Sequence, residues 1–151
     1  MKIMIINGPN MNMLGIREKD IYGKESYDSL IEMIQKAAGE RKVETVFFQS
    51  NHEGDLVDWI QSACFEEYDG IVINPGAYTH TSLAIADAAR AIKPIPVVEV
   101  HISDISQRES YRQVSYISEA CIAQIRGHGF AGYVEAMDEI IKYNTVKNSK
   151  I

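Results

Sequence analysis

The sequence predicts an α/β fold: a flavodoxin-like, doubly wound open sheet of five parallel strands with helices on both faces. Two observations lead to this prediction. Short apolar runs of strand length alternate along the chain with segments of helical period. Most of these runs are apolar on both faces and rich in Val and Ile, which is typical of buried parallel strands. Regular alternation of strands and helices favours a parallel sheet that helices cover on both sides.

The predicted elements follow one another without a repeat or a linker, so residues 1–143 are predicted to form a single domain. The strands are predicted at Lys2–Ile6, Val43–Phe48, Gly70–Ile73, Val97–Val100 and Cys121–Ile125. The helices, each with a stripe of apolar side chains, are predicted at Ser26–Gly39, Asp55–Tyr68, Thr81–Ile92 and Ala131–Tyr143. The alternation is interpreted as five consecutive β-α units, although no helix is assigned between the fourth and fifth strands. Ser26 suits the N-cap of the first helix. The polar residues 144–151 are expected to be a frayed tail.

Composition excludes several classes of protein. The 151 residues are 46% hydrophobic and 24% charged, with a formal net charge of -6. This balance suits one compact core and argues against nucleic acid as a partner, because phosphate binding needs clustered Lys and Arg. The chain opens directly on a strand rather than a leader peptide, and its apolar runs fall short of the roughly 20 residues that span a membrane. We therefore expect a cytoplasmic protein with no membrane partner.

Metal binding is not predicted. Cys64 and Cys121 lack the spacing of a zinc site, and the carboxylates near the strand ends are scattered rather than clustered. We interpret both cysteines as core thiols in a reducing compartment, with a single disulfide as the alternative.

Amides and imidazoles collect directly after the predicted strands, at the edge where an open α/β sheet binds its ligands. The segments that follow the strands contain all four histidines of the chain: His52, His80, His101 and His128. This lining of neutral hydrogen-bonding groups suits a small polyhydroxylated ligand.

The segment from Gly8 to Gly23 lacks a clear period and is longer than a usual βα loop, so we expect a lid or a binding loop. It contains Arg17 and Tyr22. A phenol has a pKa near 10, and a neighbouring guanidinium would favour the phenolate and lower that value. Tyr22 is therefore a candidate base, with a packing or surface role as the alternative.

His101 follows the fourth strand, and Glu99 precedes it by two positions, so both side chains lie on one face of that strand. A carboxylate there could orient the imidazole and keep it protonated. The alternative is a histidine that simply satisfies its hydrogen bonds at a strand end.

Three further candidates lie beside the same edge. His80 is placed in the turn to the third helix, and Asp87 follows seven residues later on the same helical face. Arg112 follows Arg108 by four residues, so one helical turn would align the two. The alternatives are helix capping for the histidine and solvated surface charge for the others.

Taken together, these motifs resemble type II dehydroquinases. The resemblance covers residues 2–143 in order and without large gaps. The matching strings are Asn7-Gly8-Pro9-Asn10, Leu14-Gly15 with Arg17-Glu18 and Tyr22-Gly23, Gln49-Ser50-Asn51, Ile73-Asn74-Pro75-Gly76-Ala77-Tyr78-Thr79-His80-Thr81-Ser82, Glu99-Val100-His101-Ile102-Ser103, and Arg108-Glu109 with Arg112 and Ser115.

The resemblance implies that residues 1–143 are a catalytic domain that converts 3-dehydroquinate into 3-dehydroshikimate and water by anti elimination through an enolate. It implies that Tyr22 is the general base as a tyrosinate, that Arg17 stabilises this phenolate and that Asn10 helps hold the site around the enolate. His101 would be the general acid, with Glu99 as its partner. The implied substrate-binding residues are Asn74, His80, Ile102, Ser103, Arg112 and, reaching the site of a neighbouring subunit, Asp87.

The resemblance also implies an enzyme without a cofactor or metal, and a homo-oligomer that is a dodecamer built from trimers. The implied setting is the shikimate pathway of aromatic amino acid and chorismate biosynthesis. Catabolism of quinate, which uses the same reaction, is the alternative.

The residues argue against three other functions. A flavin-phosphate loop after the first strand should be rich in hydroxyls and glycine, whereas this chain has Asn7-Gly8-Pro9-Asn10, and proline lacks an N–H donor. A phospho-receiver domain needs carboxylates where Asn7 and Asn74 stand. An inactive family member is disfavoured by the presence of Tyr22, Arg17 and His101.

Overall fold

The computed structural model describes residues 1–16 and 25–150, and it confirms the predicted open parallel sheet. The strands are β1 (Lys2–Asn7), β2 (Glu44–Gln49), β3 (Gly70–Asn74), β4 (Val97–His101) and β5 (Ala123–Arg126). Their order is β2-β1-β3-β4-β5, and each neighbouring pair is parallel. This is the flavodoxin-like order that the sequence predicted.

Each strand runs one residue beyond its predicted end, and in every case the added residue is polar. The ladder continues through them: Asn7 pairs with Gln49 on one side and with Asn74 on the other, and His101 pairs with Arg126. The polar edge of the sheet is therefore part of the rigid ladder, which positions side chains better than a loop does.

The regular helices of the described residues are α1 (Tyr27–Glu40), α2 (Glu53–Ser62), α3 (Leu83–Ala91) and α4 (Ala131–Asn148). Ser26 caps α1 as predicted, since its hydroxyl accepts a hydrogen bond from the backbone N–H of Ser29. On one face of the sheet, α1 and α4 pack through side chains such as Leu30 and Met137. On the other face, α2 and α3 pack through side chains such as Ile60 and Ile85.

The prediction of five β-α units is wrong at the fourth. The chain between β4 and β5 forms three short 3-10 turns, Ile105–Gln107, Ser110–Arg112 and Ser118–Ala120, instead of a helix. Polar groups of these turns form local hydrogen bonds. The Asp104 carboxylate, for example, accepts hydrogen bonds from the backbone N–H and the hydroxyl of Ser106. This connection brings arginines to the polar edge of the sheet.

The interpretation of Cys64 as a core thiol is also wrong. Helix α2 ends at Ser62, six residues before its predicted end, so Cys64 no longer lies on the apolar helical stripe and is exposed. Cys121 is partly buried, and both thiols are free.

Helix α4 ends five residues later than predicted, at Asn148. The side-chain amide of Asn144 donates to the backbone carbonyls of Asp69 and Ile140, which holds the start of the segment 144–151 against the body of the protein. Fraying of that segment in solution stays a prediction.

We predict that Gly8→Ala destabilises the protein. A Cβ atom on Gly8 would lie 2.6 Å from the carbonyl oxygen of Pro75, in the loop that follows β3. Backbone must move to accept it, and overpacking of this kind typically costs about 1–3 kcal/mol. The measurement is the free energy of unfolding by denaturant. Gly39→Ala is the matched control, because a Cβ there meets nothing within 4 Å; equal losses in both variants would contradict the prediction.

Candidate active site

A pocket opens at the carboxyl edge of the sheet, where the ends of β1, β3 and β4 meet the connection between β4 and β5. Its lining comprises Pro9, Asn10, Met11, Asn74, Gly76, Ala77, His80, His101, Ile102, Ser103, Ile105, Arg108 and Arg112. Seven residues predicted for the site are therefore brought together: Asn10, Asn74, His80, His101, Ile102, Ser103 and Arg112.

Asn10 adopts a left-handed backbone conformation, with φ of 67°, which asparagine tolerates better than most residues. Its backbone N–H donates to the side-chain oxygen of Asn51 at 2.9 Å, and the same oxygen accepts from the amide of Gln49 at 3.3 Å. The loop after β2 therefore holds the loop after β1 in the conformation that places Asn10 at the pocket.

Asn74 is almost completely buried, and both ends of its side-chain amide are occupied. Its oxygen accepts from the backbone N–H of Gly76 at 3.1 Å, and its NH2 group donates to the Tyr133 hydroxyl at 3.0 Å. The Tyr133 hydroxyl in turn donates to the side-chain oxygen of Asn7 at 2.6 Å. Tyr133 is fully buried in α4. Its role could not be predicted, because Tyr133 lies 126 residues from Asn7 along the chain.

Glu99 and His101 form the pair that the sequence predicted. The two side chains lie on one face of β4, with His101 Nε2 2.6 Å from Glu99 Oε1, and both are buried. Burial works to raise the pKa of Glu99, but the hydrogen bond and charge of His101 and the hydroxyls of Thr79 and Ser115 outweigh it, so the pKa lies below its ordinary value. Glu99 is therefore a carboxylate at neutral pH.

Three side chains around Glu99 were not predicted as site residues. Thr79 and Ser115 donate their hydroxyls to the carboxylate, and Gln124 donates its amide at 3.0 Å. Gln124 is directly opposite Glu99 in the β4–β5 register. A single polar residue among the apolar residues of the predicted strand Cys121–Ile125 was a signal that could have drawn attention to it.

His80 lies in a 3-10 turn, Gly76–His80, and not on α3, which begins at Leu83 with Ser82 as its cap. The prediction that His80 shares a helical face with Asp87 is therefore wrong. His80 Nδ1 is 2.7 Å from the carbonyl oxygen of Val114. A carbonyl only accepts, so Nδ1 carries the proton. Burial lowers the pKa of His80, which leaves Nε2 of the neutral ring as a hydrogen-bond acceptor.

Arg108 and Arg112 both line the pocket although they do not share an α-helix, because Arg112 belongs to a 3-10 turn. Arg112 Nε lies 3.2 Å from Glu109 Oε2, and Arg108 Nε lies 3.9 Å from the same oxygen. Two guanidinium groups at one pocket favour an anionic ligand, and a guanidinium matches the geometry of a carboxylate.

Asp87 is exposed on α3 and pairs with Arg90 at 2.9 Å, outside the pocket of its own chain. The remaining predicted residues, Arg17 and Tyr22, lie outside the described residues. Among residues 1–16 and 25–150, no group of three or more His, Cys, Asp or Glu side chains is arranged to hold a metal ion. No helix within those ranges is long and apolar enough to cross a membrane.

The Glu99 carboxylate is expected to stabilise the fold in a pH-dependent way. Its folded-state pKa lies below the ordinary value of 4.5, so its contribution is present above about pH 4.5 and is lost as the pH falls through the folded pKa. The free energy of unfolding of Glu99→Gln should therefore fall less between pH 7 and pH 3 than that of the wild type. Denaturant unfolding measures this, with exposed Glu32→Gln as the control. If the free energy of unfolding depended on pH equally in the wild type and in Glu99→Gln, the prediction would be contradicted.

Comparison with known proteins gives one consistent family. A profile for "Dehydroquinase class II" matches residues 1–141. The chain is 56% identical over 136 residues to a 3-dehydroquinate dehydratase of Caldicellulosiruptor saccharolyticus, covering 90% of this chain and 93% of that protein. The fold matches the crystal structure of type II dehydroquinase from Butyrivibrio crossotus with a TM-score of 0.92 at 51% identity, over 93% of this chain and 97% of the other. The corresponding structure from Propionibacterium acnes gives a TM-score of 0.87 at 35% identity, over 92% and 94%.

Proposed function

The chain belongs to the class II dehydroquinase family, and from that premise we propose that it removes water from 3-dehydroquinate to give 3-dehydroshikimate. The observation that carries the proposal is the buried Glu99–His101 pair, which borders a pocket with amides and guanidinium groups. The pair supplies a proton donor beside groups that suit a hydroxylated carboxylic acid.

The proposed reaction starts with removal of a proton from the carbon next to the substrate ketone. Tyr22, held as a phenolate by Arg17, takes this proton. The electron pair of the C–H bond is then shared with the ketone oxygen, and the product of this step is an enolate. Asn10 helps hold the site around that enolate, where preorganised donors can contribute about 10²–10³ in rate each.

The second step expels the hydroxyl group on the β carbon. His101 gives its proton to this oxygen as the C–O bond breaks, so the enolate electrons form the new C=C bond and water leaves. The Glu99 carboxylate stabilises the imidazolium that donates the proton. Protons then pass from Tyr22 to His101 through solvent, which restores the starting enzyme.

Substrate binding is assigned to the residues around this pair. Arg112 suits the substrate carboxylate, and the neutral His80 offers Nε2 as an acceptor for a hydroxyl. Asn74, Ile102 and Ser103 complete the proposed contacts from the ends of β3 and β4. No step of this mechanism calls for a cofactor, a metal or a Schiff base.

The test is direct. Chelator-treated protein is mixed with 3-dehydroquinate, and the ultraviolet absorbance of the conjugated enone product is followed. Prompt growth of that absorbance is expected. A flat trace from folded protein would overturn the proposed function, and retention of activity in chelator separates it from a metal-dependent reaction.

We further propose a homo-oligomer, a dodecamer built from trimers, in which Asp87 reaches the substrate site of a neighbouring subunit. The exposure of Asp87 away from its own pocket supports this. Asp87→Asn is expected to raise KM several-fold while kcat changes little. Sedimentation velocity measures the assembly, and a monomer with wild-type KM in Asp87→Asn would contradict the proposal.

The proposed setting is the cytoplasm and the biosynthesis of aromatic amino acids through shikimate, with quinate catabolism as the alternative. The gene is expected to restore growth without aromatic amino acids to a strain that lacks this dehydratase. Loss of growth on quinate alone in a deletion strain would favour the catabolic alternative.

A further inference from the structure

The carboxylate of Glu99 is enclosed by hydrogen-bond donors from four directions. His101 Nε2 approaches Oε1 at 2.6 Å, and the Thr79 hydroxyl donates to the same oxygen. The Ser115 hydroxyl lies between the two oxygens, at 2.8 and 2.9 Å. The Gln124 amide donates to Oε2 at 3.0 Å. We call Thr79, Ser115 and Gln124 the carboxylate cage.

The hydrogen-bond donors around Glu99 disfavour its protonation. A proton on Oε2 would meet the amide N–H of Gln124, which can only donate. The Ser115 oxygen accepts the backbone N–H of Ser118 at 3.2 Å. Its own proton is directed to the carboxylate, whose oxygens lie at 2.8 and 2.9 Å and can only accept. On Oε1, a proton would displace the His101 or Thr79 donor. The donors are thus complementary to the carboxylate and not to the acid.

This arrangement determines which nitrogen of His101 serves the pocket. Since Nε2–H is committed to Glu99, Nδ1 is the nitrogen left for the pocket that His101 lines, and it has no hydrogen-bond partner among residues 1–16 and 25–150. A general acid must hold its transferable proton on the nitrogen that faces the substrate, and the partner of the other nitrogen sets this orientation.

We propose that the carboxylate cage is a set of positioning residues, which keep Glu99 ionised and thereby hold His101 with Nε2 bound and Nδ1 free for proton transfer. The catalytic meaning of this inference rests on the proposed function. Among residues 1–16 and 25–150, Thr79 and Gln124 do not line the pocket and reach the site through their hydrogen bonds to Glu99. They come from the turn after β3 and from β5.

The other ionisable groups near the pair are few in the part of the chain that the structure describes. His80, Arg108 and Arg112 line the same pocket as His101, from the turn after β3 and from the β4–β5 connection. Cys121 approaches from the residues before β5, and burial, reinforced by the Glu99 charge, raises the pKa of this thiol to about 12. Cys121 is therefore neutral. Loss of a cage donor is expected to change the protonation of Glu99 and the orientation of His101, and not the charge of Cys121.

The test compares substitutions that remove one donor with one that keeps it. Thr79→Val and Gln124→Met remove a donor at nearly constant volume, and Thr79→Ser retains the hydroxyl. Under the proposed mechanism the acid limb of a kcat–pH profile reports ionisation of the base Tyr22, so kcat and KM are compared at the pH of maximal turnover. Loss of one donor should lower kcat about tenfold with KM nearly unchanged in each of the first two variants. The fall should be larger in the double variant and absent in Thr79→Ser. Wild-type kcat in both single variants, or an equal fall in Thr79→Ser, would overturn the proposal.

A second readout does not depend on turnover. The chain has only four histidines, so the ¹³Cε1 resonance of His101 can be assigned by single substitutions and followed against pH. We expect a low-pH step that reports protonation of Glu99, and we expect it at higher pH in Thr79→Val and Gln124→Met. An unchanged step would overturn the inference. Absence of wild-type turnover would instead overturn the proposed function and leave this readout valid.

Discussion

His101→Gln is expected to lower kcat by about 10²–10⁴-fold, the usual contribution of a positioned general acid. The substitution removes the only group of the Glu99–His101 pair that can pass a proton to the leaving hydroxyl under the proposed mechanism. Glutamine keeps an N–H donor for the buried carboxylate, so the fold should survive and KM should change far less than kcat. Steady-state kinetics with the ultraviolet assay gives both constants.

A matched control for this prediction is His128→Gln. His128 follows β5, is exposed and pairs with Glu135 at 2.9 Å, away from the pocket lining. Its kinetics should be those of the wild type. If His101→Gln retained more than a tenth of wild-type kcat, His101 could not be the general acid.

Tyr22→Phe is expected to abolish turnover while leaving substrate binding largely intact. The phenolate proposed for Tyr22 is the group that removes the proton, and phenylalanine keeps the ring but has no ionisable oxygen. Calorimetric titration should therefore show substrate binding without product, and kcat should fall by about 10²–10⁴-fold or more.

The control for this variant is Tyr143→Phe, which removes a phenol from α4. Its kcat should equal that of the wild type. Near-normal turnover of Tyr22→Phe would remove this residue from the mechanism. Since Arg17 is proposed to favour the phenolate, Tyr22 should ionise at higher pH in Arg17→Leu. The pH at which activity first appears should therefore be higher in this variant.

The sequence predicted the sheet and the Glu99–His101 pair because both depend on local periodicity. Strand-length apolar runs identify β1 to β5, and a spacing of two residues places Glu99 and His101 on one face of β4 without further information. The alternation of strands and helices predicted a doubly wound sheet, but several strand orders are doubly wound, and the flavodoxin-like order was one choice among them.

The partners of that pair could not be predicted, because they depend on long-range contacts. Ser115 and Gln124 lie 16 and 25 residues from Glu99, and Thr79 lies 20 residues before it. The expectation of a helix in each βα unit was wrong at the β4–β5 connection, where a 3-10 turn, Ser110–Arg112, brings Arg112 to the pocket. Arg17 and Tyr22 lie outside the described residues, so their roles stay predictions.

The hydroxyl of Tyr133 has a consequence for the order in which the protein becomes functional during synthesis. It joins Asn7, 126 residues earlier, to Asn74, 59 residues earlier, beneath the pocket. Until α4 has left the ribosome and packed, these two amides lack their shared partner and the floor of the pocket is incomplete. A ribosome-bound chain can form β1 to β3 early, since domains begin to fold from the N-terminus, but the binding site is completed only once α4 has emerged and packed.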